Sequence, residues 1–129
     1  ATLNAVHHGV SDRVHFLLGD QLTPMCRRMH IIAANLPYVP TGQLSSLAPD
    51  VTAYEPLIAL DGGADGLEHI NRLLARAERW LLPRGVILLE IGAEQGLKVM
   101  SFAKQYYPKA TIELFYDYAG LDRVVRISV

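Results

Sequence analysis

The sequence predicts an α/β fold, a sheet flanked by helices, and three features of the chain predict it. Short apolar runs alternate with segments whose apolar residues recur every three to four positions. Gly and Pro stand at the joints, as at Gly9, at Pro83 and Gly85, and at Pro108. The runs HIIAAN (30–35) and VILLEIG (86–92) are apolar almost throughout, the pattern of strands buried on both faces of a parallel sheet. Helices covering both faces are therefore expected.

Residues 1–8 suit a helix, and Gly9 stands where a left-handed cap would release the chain. RVHFLLG (13–19) reads as a first strand, DQLTPMCRR (20–28) as a loop and HIIAAN as a second strand. Residues 39–66 are rich in Pro, Gly, Ser and Asp and read as a long structureless loop of the functional kind. A helix is predicted over 65–81, with Asp65 and Glu68 spaced as a capping box. Leu67, Ile70, Leu73, Leu74, Ala77, Trp80 and Leu81 share one of its faces, while Glu68, Arg72 and Arg76 sit on a solvated one. The turn at Pro83, Arg84 and Gly85 leads into a third strand, and a second helix over 94–107 must stop before Pro108. TIELFYD (111–117) and RVVRISV (123–129), joined around Ala119 and Gly120, form an antiparallel pair. Ligands of open α/β sheets collect at the carboxyl ends of strands, where Asp20, Asn35 and Glu90 fall. For Glu90, in an apolar run, a structural hydrogen bond to the neighbouring loop is expected.

Composition narrows the function classes. Lys and Arg total 12 against 13 Asp and Glu, so no bulk positive field exists to neutralise phosphates, and nucleic acid is an unlikely partner. The single Cys26 cannot pair within the chain, which favours a reducing compartment and a cytoplasmic location. The apolar runs are far short of the roughly 20 residues of a membrane span. The five His residues lack metal-ligand spacing, so no metal site is expected.

NLPY, residues 35–38, has a distinctive chemical capacity. A planar nitrogen, such as the amide of glutamine or the exocyclic amine of adenine, is a poor nucleophile because its lone pair is delocalised. Two acceptors that bind its two N–H groups favour localising that pair toward an electrophile. The Asn35 side-chain carbonyl and the Leu36 backbone carbonyl are such a pair. Pro37 forces Leu36 into an extended conformation, and Tyr38 offers a ring face to a flat group. On these four residues alone the plain reading is the favoured one: Asn-x-Pro-aromatic occurs by chance, and an Asn at a strand end commonly just satisfies nearby backbone groups.

Their neighbourhood tips the balance. GDQLTPM, IIAANLPYVP, LAPDVTAYEPLIALDGGADGLEHINRLL, LLPRGVILLEIG and YAGLDRVVRI, in this order, resemble the HemK/PrmC family. The resemblance implies a class I, Rossmann-like methyltransferase sheet that uses S-adenosylmethionine to methylate the Gly-Gly-Gln glutamine of peptide-chain release factors. Asn35, Pro37 and Tyr38 would be its catalytic residues; Asn35, Leu36, Pro37, Tyr38 and Glu55 would meet substrate. Asp20, Gln21 and Asn35 would meet the cofactor. The family signature is Asn-Pro-Pro-Tyr, and Leu36 replaces its first Pro at a position that contributes a backbone carbonyl. Asn-Leu-Pro-Tyr also resembles ribosomal RNA adenine dimethyltransferases, so an adenine-N6 methyltransferase acting on rRNA or DNA is the alternative. A non-catalytic binding module is a third.

The glycine-rich turn and ribose-binding acid of such enzymes are missing from the sequence. Residues 1–129 are therefore expected to be a partial catalytic domain, lacking the first two strands and the family's helical substrate domain. Weak or no binding of S-adenosylmethionine, and self-association through exposed strand edges, are expected with it.

Overall fold

A computed structural model describes residues 1–129. In chain order the elements are α1 (Thr2–His7), β1 (Met29–Asn35), α2 (Pro49–Tyr54), α3 (Glu68–Ala77), β2 (Leu81–Glu90), α4 (Gly96–Tyr106), β3 (Thr111–Tyr116) and β4 (Asp122–Ser128). One sheet runs β1-β2-β4-β3. β1 is parallel to β2, while β4 is antiparallel to both β2 and β3. The parallel β1–β2 pair continued by an antiparallel hairpin at the carboxyl end is the arrangement expected from the sequence.

Strand periodicity decides which residues form the core. Ile32, Ile87, Leu89, Val125 and Ile127 point to one face and are buried there with Ile70, Leu73, Leu74 and Ala77 of α3 and Val99 and Ala103 of α4. Each fully buried Leu or Ile contributes about 1.5–3 kcal/mol relative to exposure. Tyr107 fastens the two helices, its hydroxyl donating to the Leu74 carbonyl at 2.7 Å. Asp122 of β4 caps α4 from outside, accepting from the Gly96 N–H at 2.9 Å.

Several expectations need correction. RVHFLLG forms no strand: residues 14–18 belong to no ladder, and Leu17 and Leu18 stand in solvent. A β pattern cannot hold as a strand without a neighbour to take its backbone hydrogen bonds, and none lies beside it. The sheet is also covered on one face only, because α3 and α4 pack on the same side; Ile31 on the other face is 57 % exposed. Residues 39–66 are not structureless, since they hold α2 and two 3-10 turns, Thr41–Ser46 and Leu57–Ala59. The capping box does not form, for Asp65 accepts from Leu67 N–H at 3.0 Å while the Glu68 N–H goes to the Gly62 carbonyl. Leu81 opens β2 instead of ending the helix. Arg72 is more than solvated, being ion-paired to Asp20. Pro83, Arg84 and Gly85 bulge out of β2 between the Met29 and Ile31 pairings, with Arg84 at φ 64.

Candidate functional site

β1 and β2 end side by side in register, Asn35 opposite Glu90. Ile32 and Ala34 turn toward the helices, so the period of two sends Asn35 to the open face, where its side chain is exposed. Three residues on, the Tyr38 hydroxyl donates to Glu90 Oε1 at 3.3 Å. The expected structural bond of Glu90 to the loop is this one. Burial, and then the nearby Glu90 carboxylate, raise the Tyr38 pKa above its ordinary value, so the phenol stays a donor.

The loop after Asn35 is clamped to the segment before α3. Val39 and Asp61 form an isolated parallel bridge, with Val39 N–H donating to the Leu60 carbonyl at 3.0 Å and Gly62 N–H to the Val39 carbonyl at 2.8 Å. Asp61 Oδ1 accepts from Thr41 Oγ1 at 2.7 Å and from Gly63 N–H at 3.0 Å. Those two bonds, the Thr41 hydroxyl first, hold the Asp61 carboxyl below its ordinary range. The glycines have a steric reason. A Cβ on Gly62 would lie 2.8 Å from the Pro37 carbonyl oxygen, and one on Gly66, at φ +77, would lie 2.3 Å from that of Tyr38.

Gln95, which the sequence reasoning did not single out, closes the clamp. Its Nε2 donates to the Tyr38 carbonyl at 2.9 Å and the Gly66 carbonyl at 3.3 Å, while its Oε1 accepts from Gly92 N–H at 2.8 Å. A Gln three residues past the glycine that ends an apolar strand was the only trace in the sequence, and a weak one.

Neither the Asn35 side chain nor the Leu36 carbonyl is hydrogen-bonded within the chain; the Pro37 carbonyl also lacks a donor but is packed against Gly62, and the Tyr38 and Val39 carbonyls farther on are engaged. Pro37 restricts Leu36 to extended backbone. The arrangement presents two oxygens to an incoming pair of N–H groups, with a fixed aromatic ring three residues on.

Of the other residues singled out, Asp20 and Gln21 sit in the turn segment before β1 and are bonded to α3. Asp20 Oδ1 accepts from Arg72 at 2.9 Å, and Gln21, at φ 51, donates through Nε2 to the His69 carbonyl at 2.9 Å. Glu55 ends α2 in an exposed position, and its side chain bonds to nothing in the chain. No group of three His, Cys, Asp or Glu side chains is placed to hold a metal ion. No helix is long and apolar enough to cross a membrane.

No protein-family model matches the chain. Among curated proteins, it is 36% identical over 126 residues to a release factor glutamine methyltransferase of Gloeobacter violaceus, covering 97% of the chain and 44% of that protein. A protein of the same name from Thermodesulfovibrio yellowstonii is 40% identical over 126 residues, again 97% of the chain and 44% of the relative. The chain thus spans less than half the length of the relatives it matches. Among solved structures, a release-factor-specific protein-(glutamine-N5) methyltransferase from Alicyclobacillus acidocaldarius superposes with a TM-score of 0.53 at 22% identity, over 78% of this chain and 48% of that one.

Proposed function

We propose, from the chain's membership of the release factor glutamine methyltransferase family, that residues 1–129 form the carboxyl-terminal part of a catalytic domain that methylates a protein glutamine. The observation that carries this reading is the pair of unengaged acceptors, the Asn35 side chain and the Leu36 carbonyl, on a loop fixed just beyond them by the bonded Tyr38 and Val39 carbonyls.

The substrate is the side-chain amide of the glutamine in the Gly-Gly-Gln motif of a release factor. Asn35 and Leu36 each accept one of its N–H groups, Pro37 keeps the two oxygens apart, and Tyr38, held by Glu90, gives the amide a surface to lie on. Binding both hydrogens orients the nitrogen and favours the pyramidal form that attacks. None of these roles needs a side chain with a shifted pKa.

The electrophile is the methyl group on the sulfonium of S-adenosylmethionine. The residues present fit only one side of that cofactor. The exposed Asn35 amide can face it, and Asp20 and Gln21 stand as candidates for its adenine end, but no glycine-rich turn or ribose-binding acid is in this sequence. Weak or no binding of S-adenosylmethionine to the 129 residues alone follows. The open edge of β1 and the exposed Ile31 beside it support self-association of these residues in isolation.

The test is Asn35→Ala in the intact parent protein, with methyl transfer to a Gly-Gly-Gln peptide and to an RNA oligomer read by mass spectrometry. The reading expects peptide methylation by the parent and its near-complete loss in the variant. Unchanged turnover, or transfer to the RNA instead, overturns it.

A further inference from the structure

We propose that Gln95 is the positioning residue of the acceptor loop, holding the Leu36 carbonyl and Asn35 in their working geometry from behind. Its side-chain amide is buried, at 9 % exposure, and all three of its hydrogen bonds go to backbone groups of different segments. These are the loop at Tyr38, the turn at Gly66 and the end of the strand region at Gly92. No other side chain in the protein joins that loop, that turn and the strand end. The geometry selects for an amide. One end must donate twice and the other must accept, which neither a carboxylate nor a hydroxyl of the same reach can do.

The bond to Tyr38 acts two residues from the Leu36 carbonyl, across the rigid Pro37. A shift of Tyr38 is therefore transmitted to the acceptor pair instead of being absorbed by the loop. The opposite anchor, the Val39–Asp61 bridge, fixes the loop's far side. With Gln95 removed, the Tyr38 carbonyl has no partner, the loop keeps only the Tyr38 hydroxyl on Glu90 and the Val39–Asp61 bridge, and that bridge opens more often.

The catalytic consequence rests on the glutamine-methylation reading; the lock itself does not. Gln95→Glu in the intact parent separates the two. The substitution keeps the volume and the acceptor for Gly92 but sets a carboxylate against the Tyr38 and Gly66 carbonyls. When protonated it regains one donor. The charged groups on the segments packed around it are mostly acidic, namely Asp61, Asp65, Glu68, Glu90, Glu94 and Asp122 against Lys98 and Arg123. Together with burial they favour the neutral acid.

At about pH 8, kcat is expected to fall by up to about 100-fold, the scale of a misplacement near 1 Å, with the KM for S-adenosylmethionine nearly unchanged. The deficit should shrink as the pH is lowered, and the exchange protection of the Val39 and Gly62 amides should recover in parallel. A deficit that does not change with pH, or loop amides as protected as in the unsubstituted protein, overturns the proposal. If the parent transfers no methyl group to glutamine, the reading of function fails, and the amide exchange still decides the lock. If the variant does not fold, the Gln95 side-chain amide of the unsubstituted protein is followed by NMR. Protection comparable to that of the Val39 N–H supports the lock, and exchange at the solvent rate overturns it.

Discussion

Gly66→Ala and Gly120→Ala make a matched pair of perturbations. Both glycines have φ +77, so an alanine meets the same left-handed penalty at each, about 1–2 kcal/mol. Around Gly120 a Cβ meets nothing within 4 Å, and the cost ends there. At Gly66 the new carbon would lie 2.3 Å from the Tyr38 carbonyl oxygen and 2.7 Å from Gln95 Nε2. Relieving that overlap moves the loop or the Gln95 amide, adding about 1–3 kcal/mol of overpacking. If both Gln95 donor bonds break, about 1 kcal/mol each is lost as well. Gly66→Ala should therefore be less stable than Gly120→Ala by about 1–3 kcal/mol if the Gln95 bonds survive and by about 3–5 kcal/mol if both break. Denaturant unfolding of the intact protein, with both variants measured under one protocol, gives the difference directly. A difference below about 1 kcal/mol would mean that the loop and the glycine turn are not in the contact described here, and the clamp argument would fail.

Two further outcomes follow from the packing. Tyr107→Phe removes the hydroxyl bond to the Leu74 carbonyl and should cost about 0.5–1.5 kcal/mol at neutral pH. Burial raises the Tyr107 pKa from 10.0 to about 12, so its contribution is complete below pH 10 and is lost as the pH climbs toward 12. Unfolding free energies of the parent and the variant should accordingly converge over that interval. Asp122→Ala removes the cap on the Gly96 N–H and should destabilise by about 0.5–2 kcal/mol, with the loss seen as fraying of the first turn of α4 in amide exchange.

The linear pattern determined the alternation of strand and helix, the hairpin at the carboxyl end and the residues 35–38 on which the proposed chemistry rests. These were legible because each rests on short-range rules: a period of two or of 3.6, a helix that cannot run into Pro108, a Pro that straightens the residue before it. The apolar runs of β1 and β2 also announced their burial, although only Ile32 in β1 achieves it fully.

What the sequence could not determine depends on partners distant in the chain. RVHFLLG has a strand's composition and no strand beside it, so its backbone bonds are not made. α3 and α4 each have an apolar face, but periodicity says nothing of which side of the sheet they take, and both take the same one. Gln95 looks like any polar residue before a helix until folding brings it to Tyr38, 57 positions away, and to Gly66, 29 away. Asn35 and its neighbours suggest the proposed chemistry by residue type alone. Whether their two oxygens are held still is decided by a buried amide and a pair of glycines from elsewhere, because only close three-dimensional packing can fix a loop that has no regular hydrogen-bond ladder of its own.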